Sequence, residues 1–211
     1  MSQISKVTFP RREAAKARTR LRIENAARHL FITHGYSDAT MAAIADAADV
    51  HITTLFTHFA SKRDLAEAIA ISAGERFAEI ATEQRDLGVP VLRFWRHQVL
   101  NVAQAYERDG SGQISFGRAL AEEPDLLSVW SAQHQLQIDV LTDYIIHEVG
   151  DRDSVDADGR AQMVAAMLVA GGRMAFDRWI AEGRGGDLVQ ENERLLDAAE
   201  AILASGFVLK N

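Results

Sequence analysis

Cysteine is absent, proline occurs only 3 times and aromatic residues make up 7% of the chain. Without a thiol there is no disulfide, no thiolate metal site and no cysteine nucleophile, and a cytoplasmic location is the expectation. Long apolar runs are missing as well. The most apolar stretch, Met163 to Gly172, is about half of the roughly 20 residues that a membrane span requires, so no membrane partner is expected. Met1 to Arg12 is polar and basic and lacks the apolar segment of a secretory signal. Catalytic and metal signatures fail too. The 7 histidines show no His-Glu-x-x-His spacing and there is no Gly-x-Ser-x-Gly elbow. Asp151, Asp153, Asp156 and Asp158 have the wrong spacing for a calcium loop, with Gln162 where its final Glu should stand. Gly183 to Gly186 follows a helical stretch instead of a strand, so it reads as a connector and not as a phosphate cradle. No enzyme, cofactor or metal is expected.

What remains is an ordinary globular composition of 211 residues, 47% hydrophobic and 25% charged, the scale of one domain or of one with a small appendage. Its net charge of −7 argues against a polyanionic partner. The charge is unevenly spread, however. Residues 1–63 carry 10 Lys+Arg against 5 Asp+Glu, while residues 64–211 carry 13 against 25. A basic head on an acidic body is what an appended nucleic-acid module would produce.

The apolar pattern is helical almost throughout, with breaks at Gly, Pro and Asp clusters, and predicts about nine helices. The first, about residues 12–34, lines up Ile23, Ala27, Leu30 and Phe31, shows Lys16, Arg18, Arg20 and Arg22 on its outer face, and ends at Gly35. Thr40 fits the N-cap of a short helix burying Met41, Ile44, Ala45 and Ala48, and a turn at Asp49 and Val50 leads into a second short helix, 52–59. Two short helices across a tight turn, braced by a longer one, form the helix-turn-helix plan. Ser61 and Asp64 then make a capping box that opens a fourth helix with Leu65, Ile69, Ala73, Phe77 and Ile80 in one stripe.

Gly35-Tyr36, Thr40-Met41-Ala42-Ala43-Ile44-Ala45, Ala48-Asp49-Val50, Thr54-Leu55-Phe56-Thr57-His58-Phe59 and Ser61-Lys62 together resemble the N-terminal domain of the tetracycline-repressor (TetR) family of bacterial transcription regulators. The match runs without gaps over about fifty residues. The resemblance implies a two-fold dimer on a palindromic double-stranded DNA operator, a helical ligand-binding body, and release of DNA when a small-molecule effector binds. Position by position, it places the Thr40 backbone and the side chains of Thr54, Phe56, His58 and Lys62 on phosphates, and Ile52, Thr53 and Thr57 on base edges. Three departures stand out. Asp49 and His51 replace the usual turn Gly and cap Ser; Asp tolerates the left-handed conformation, so the turn should survive. Thr53 and Thr57 stand where relatives often carry Arg or Lys, which shifts readout from guanine towards thymine methyls. Phe56 stands where tyrosine is common and lacks its hydroxyl. A flexible N-terminal arm with Lys6, Arg11 and Arg12 could compensate through backbone or minor-groove contacts. Periodicity alone would bury Ile52, Leu55, Phe56 and Phe59 together, whereas the family places only Leu55 and Phe59 firmly inside; Ile52 is open to reading as a partly buried staple residue.

The body is read as a helical bundle for ligand binding and dimerisation. A fifth helix, about 91–108, aligns Leu92, Trp95, Val99, Val102 and Tyr106; a short helix is expected at 114–122; Pro124 opens a long one with Leu127, Trp130, His134, Ile138, Leu141 and Ile145 in line. Trp95, Tyr106, Phe116, Trp130, His134 and Met174 are the candidate ligand-binding residues of an apolar cavity with a few polar anchors. Each aromatic has plain core as its alternative, and His134 could equally be satisfied by a neighbouring carbonyl. Residues 116–207 also resemble the C-terminal domains of TetR relatives from actinobacteria that bind acyl-CoA-like ligands, with Glu122-Glu123-Pro124-Asp125 followed by Trp130. Ala166, Ala170, Leu195, Ala199 and Ile202, on the last two helices (about 156–182 and 188–207), are the candidate homodimer interface, which the family builds as a four-helix bundle.

The expectation is therefore an all-α protein: a DNA-binding domain over 1–60 and a helical ligand-binding and dimerisation domain over 61–211. Its expected role is a ligand-responsive repressor that a small lipophilic or acyl-type effector releases from DNA. The alternative is a helical small-molecule binding protein that has lost specific DNA binding.

Overall fold

The computed structural model describes residues 10–108, 123–149, 157–182 and 187–204. The helix expected at 114–122, Phe116, Lys6, Asp151 to Asp156, Gly183 to Gly186 and Phe207 lie outside the described residues. Among the described residues there are eight α-helices and no strand. They are α1 (Pro10–His34), α2 (Met41–Ala47), α3 (Ile52–His58), α4 (Lys62–Asp86), α5 (Val91–Arg108), α6 (Leu127–Val149), α7 (Ala157–Ala181) and α8 (Leu188–Ala204); a single 3₁₀ turn, Pro124–Leu126, runs directly into α6.

The punctuation read from the sequence has physical counterparts. Gly35 takes φ 86° and lets the chain leave α1. The Thr40 hydroxyl accepts from the Ala43 N–H at 3.1 Å, and the Ser61 hydroxyl accepts from the Asp64 N–H at the same distance. Pro10 sits at the first position of α1, where its missing N–H costs nothing. Arg11 and Arg12 therefore belong to the first turn of a helix, not to a flexible arm as the sequence suggested.

Two apolar interiors organise the chain. The head packs Ile23, Ala27 and Phe31 of α1 against Ile44 and Ala45 of α2, Leu55 of α3, and Leu65, Ala66, Ala68, Ile69 and Ala70 of α4. Full burial of each large side chain contributes about 1.5–3 kcal/mol. The head interior thus continues past residue 60 into α4, and it also takes in Leu126 and Val129 from the 3₁₀ turn and the start of α6. The main body interior joins Ala81, Phe94, Trp95, Leu141, Tyr144, Ala165, Leu168 and Leu196, from α4 through α8.

Helix α4 crosses between the two. Its apolar stripe drifts, so Ala73, expected inside, is exposed while Gly74 is buried. A Cβ on Gly74 would collide with Leu136 Cδ2 of α6, so the missing side chain allows the two helices their close approach. Further down, Arg85 of α4 meets Asp143 of α6 at 3.0 Å. The Tyr144 hydroxyl donates to the Val89 carbonyl at 2.7 Å and fixes the α4–α5 turn, where Gly88 takes φ 73°.

Candidate nucleic-acid interface and ligand cavity

The turn between α2 and α3 is held from outside as well as from within. Asp49 takes φ 51°, a left-handed conformation that costs a non-glycine residue about 1–2 kcal/mol. Arg22 of α1 offsets part of that cost. Its Nη2 donates to the carbonyls of Ala48 at 2.8 Å and Asp49 at 2.7 Å. At the other end of α3, Arg20 Nη1 donates to the His58 carbonyl at 3.5 Å, and its guanidinium lies 4.3 Å from the Phe59 ring centroid. Arg20 Nε also pairs at 3.0 Å with Glu24, a buried carboxylate that accepts from the Ser72 hydroxyl of α4 at 3.4 Å. Sequence reasoning placed Arg20 and Arg22 on a solvated basic face. Their long reach to carbonyls 26 to 38 residues away leaves no trace in local spacing.

Helix α3 begins at His51, whose Nδ1 accepts from the Thr53 N–H at 3.4 Å and lies 2.8 Å from Thr53 Oγ1. A nitrogen that accepts the backbone bond can also accept from the hydroxyl, so the Thr53 hydroxyl donates inward. The Thr57 hydroxyl does likewise, to the Thr53 carbonyl at 2.8 Å. Both threonines, and Phe56 at 50% exposure, face solvent, whereas Leu55 and Phe59 are buried at 0% and 3%. Ile52 is half-buried and packs on the head interior; Thr54 and His58 are half-buried too, and Thr40 is exposed. The helix thus offers a surface of methyls, hydroxyl lone pairs and one phenyl ring. Burial, then Lys16 and Arg20, hold the His58 imidazole below its usual value.

Lys62, expected on a phosphate, is engaged within the protein: its Nζ donates to the carbonyls of Tyr36 at 2.7 Å and Ser37 at 3.1 Å and lies over the Tyr36 ring. The loop it anchors is tied to the α6 side as well. The Ser37 hydroxyl donates to Glu123 at 2.6 Å, and Arg63 donates to the Asp125 carbonyl and the Ser128 hydroxyl, both at 2.9 Å.

In the body, a cavity of about 180 Å³ opens among α4, α5, α6, α7 and α8. Trp95, Tyr106, Trp130 and His134 line it together, with Phe77 of α4 beside them. Gln98, Gln137, Arg173 and Asn192 supply polar groups that sequence reasoning missed. Gln137 lies three residues after His134, on the same face of a helix, and was legible by that spacing. Met174 does not line this cavity. It is 52% exposed and borders a separate apolar groove between α7 and α8, because its position on α7 points away from α5 and α6. Ala170, Leu195, Ala199 and Ile202 line that groove as well, while Ala166 is half-buried on α7 outside it. Burial pushes the Tyr106 phenol up to about 12, so it is a protonated donor at neutral pH. The His134 imidazole is held below its usual value, first by burial and then by Arg173.

A helix-turn-helix head with an exposed second helix is joined through shared helices to a body that encloses a cavity, the architecture of a DNA-binding head on a body with room for a small molecule. Residues 23–69 match the model of the family described as bacterial regulatory proteins, tetR family. The chain is 29% identical over 176 residues to the HTH-type transcriptional regulator TcmR of Streptomyces glaucescens, covering 80% of this chain and 76% of that one. It is 43% identical over 58 residues to the regulator UidR of Escherichia coli K12, a match confined to 28% of this chain and 30% of UidR. Among solved structures, Salmonella enterica GusR is similar with a TM-score of 0.64 at 23% identity, over 95% of this chain and all of that one. FadR of Thermus thermophilus, solved with lauroyl-CoA, gives a TM-score of 0.60 at 20% identity, over 91% and 96% of the two chains. Residues 23–69 thus carry the DNA-binding domain of the tetR family, and the rest of the chain is similar in fold to regulators of that type. No helix among the described residues is long and apolar enough to cross a membrane.

Proposed function

We propose that the protein is a cytoplasmic repressor that works as a homodimer, holding a palindromic operator with α3 of each subunit and leaving it when a small lipophilic or acyl-type effector fills the body cavity. The observation that carries this reading is the double membership of Trp130, which packs against the head interior and lines the cavity. Helix α4 makes the same connection, with Leu65 in the head and Phe77 in the cavity wall. An effector that moves either side chain favours a different tilt of the head, and its differential affinity for the two tilts sets how far the equilibrium moves.

On the DNA side, Thr40, Thr54, Phe56 and His58 flank the phosphate path, with Arg11 and Arg12 on the helical start of α1. Ile52, Thr53 and Thr57 meet the bases. With both threonine hydroxyls donating inward, they offer methyls to thymine and lone pairs to the amino groups of adenine or cytosine. For the dimer, the groove between α7 and α8 supplies Ala170, Leu195, Ala199 and Ile202, with Ala166 nearby, and Met163 stands 75% exposed on α7. FadR of Thermus thermophilus, solved with lauroyl-CoA, and FadR of Bacillus subtilis, solved with stearoyl-CoA, share the fold with this chain, which supports an acyl-type effector.

The test is operator binding measured with and without lauric acid, lauroyl-CoA and a panel of lipophilic acids. Release of DNA by at least one of them, lost in a Phe77→Ala, Trp130→Phe double variant that still binds operator, supports the reading. Operator affinity indifferent to every compound that occupies the cavity contradicts it.

A further inference from the structure

Three buried polar atoms make no hydrogen bond of good geometry among the described residues: Trp95 Nε1, Trp130 Nε1 and His134 Nδ1, the His134 ring having the Trp130 carbonyl near it. All three belong to side chains that line the same body cavity. A buried donor without an acceptor costs about 1–3 kcal/mol, and folded proteins satisfy nearly all such groups. Three shortfalls in a single wall are therefore a property of that wall. Trp95 is itself only 5% exposed, and an indole N–H can donate but never accept. The Tyr106 phenol stays protonated and Arg173 brings a guanidinium paired with Asp177 at 3.3 Å, while no Asp or Glu among the described residues lines the cavity. The phenyl and indole faces of Phe77, Trp95 and Phe176 complete an aromatic interior.

Building on the reading of this cavity as the effector site, we infer that its ligand is a neutral or anionic lipophilic molecule whose polar end presents oxygen acceptors to the indole N–H groups of Trp95 and Trp130. A carbonyl, carboxylate or phenolate oxygen is the acceptor an indole donor lacks, and His134 can serve a second oxygen or a hydroxyl. A cationic ligand meets indole N–H donors and no carboxylate in the lining, with Arg173 already paired to Asp177; a pure hydrocarbon leaves the N–H groups unmet.

The chain has 3 tryptophans, and the third, Trp179, does not line the cavity. Each therefore gives one indole N–H resonance, assignable with Trp95→Phe, Trp130→Phe and Trp179→Phe variants of the full chain. The probes are 1-naphthamide and 1-naphthoate, with naphthalene and 1-naphthylmethylammonium as controls. The acceptor-bearing pair is expected to shift the Trp95 and Trp130 indole protons downfield and leave Trp179 in place. Trp130→Phe is expected to weaken 1-naphthamide about tenfold while leaving naphthalene unchanged. Naphthalene or the ammonium compound binding as tightly as 1-naphthamide, with the indole resonances unmoved, overturns the inference and leaves the cavity an effector site of other chemistry. Downfield shifts without any effect on operator binding support the inference and count instead against the effector reading.

Discussion

Trp130 and His134 lie one helical turn apart on α6, their ring centroids 4.4 Å apart and their planes at 84°. Both line the cavity, yet only Trp130 also touches the head interior. Under the proposed function, His134 would sense the effector, whereas Trp130 would both sense it and transmit to the head. Trp130→Ala is expected to destabilise the protein by about 2–4 kcal/mol through the space left between α6 and the head, and to weaken operator binding. His134→Ala should leave operator affinity unchanged in the absence of effector. Urea unfolding and operator titration of the two variants check the contrast.

Arg22 is expected to matter more to DNA binding than its exposed position suggests. Removing its two hydrogen bonds to the α2–α3 turn in Arg22→Ala should cost about 1–2 kcal/mol and lower operator affinity about tenfold, with unchanged helix content. Circular dichroism and operator titration on the same sample separate a lost clamp from a lost fold.

Asp49 carries the positive φ of the turn. Asp49→Gly is expected to be neutral or to stabilise by up to about 1 kcal/mol, and Asp49→Val to destabilise by more than about 1 kcal/mol, since a β-branched residue is strained there. The urea midpoints of the two variants should fall on opposite sides of, or one level with, that of the parent.

Much of the head is legible in the sequence because its signals are local. Gly35, Thr40, Ser61 and the apolar spacing of α1 to α3 each act within a few residues, and the family motif adds the identity of the reading helix. Phe56 shows the limit of periodicity, which would bury it although the short α3 turns it outwards. What the sequence concealed is long-range. Arg22, Lys62 and Arg63 find carbonyls on distant segments, and Met174 shares the helical spacing of a cavity residue while facing the other side of α7. Which face of a bundle helix meets the cavity depends on packing partners that helical spacing does not name.

Stability should depend on pH through two histidines. His58 and His134 are both held below the usual value of 6.5, mainly by burial. The unfolded chain then binds more protons than the folded one as pH falls through about 6.5, so folding stability is full above that value and declines below it. The urea midpoint should fall between pH 7.5 and 5.5, and His134→Gln should flatten that fall. An unchanged slope in the variant would assign the pH dependence elsewhere.

The groove between α7 and α8 should be covered in the working protein. Leu195→Glu or Ala199→Glu is expected to convert a dimer into a monomer by burying an unpaired charge at the contact, and to abolish tight operator binding. Sedimentation of the variants reads the first effect and operator titration the second.

An acidic chain with a basic head should read a palindrome. Selection of random duplex DNA on the purified protein, followed by a salt titration on the winning sequence, tests it most directly. Two half-sites about one helical turn apart are expected, with an affinity that falls steeply as salt rises. A folded dimer that enriches no sequence would contradict that reading and favour a helical small-molecule binding protein that no longer recognises DNA.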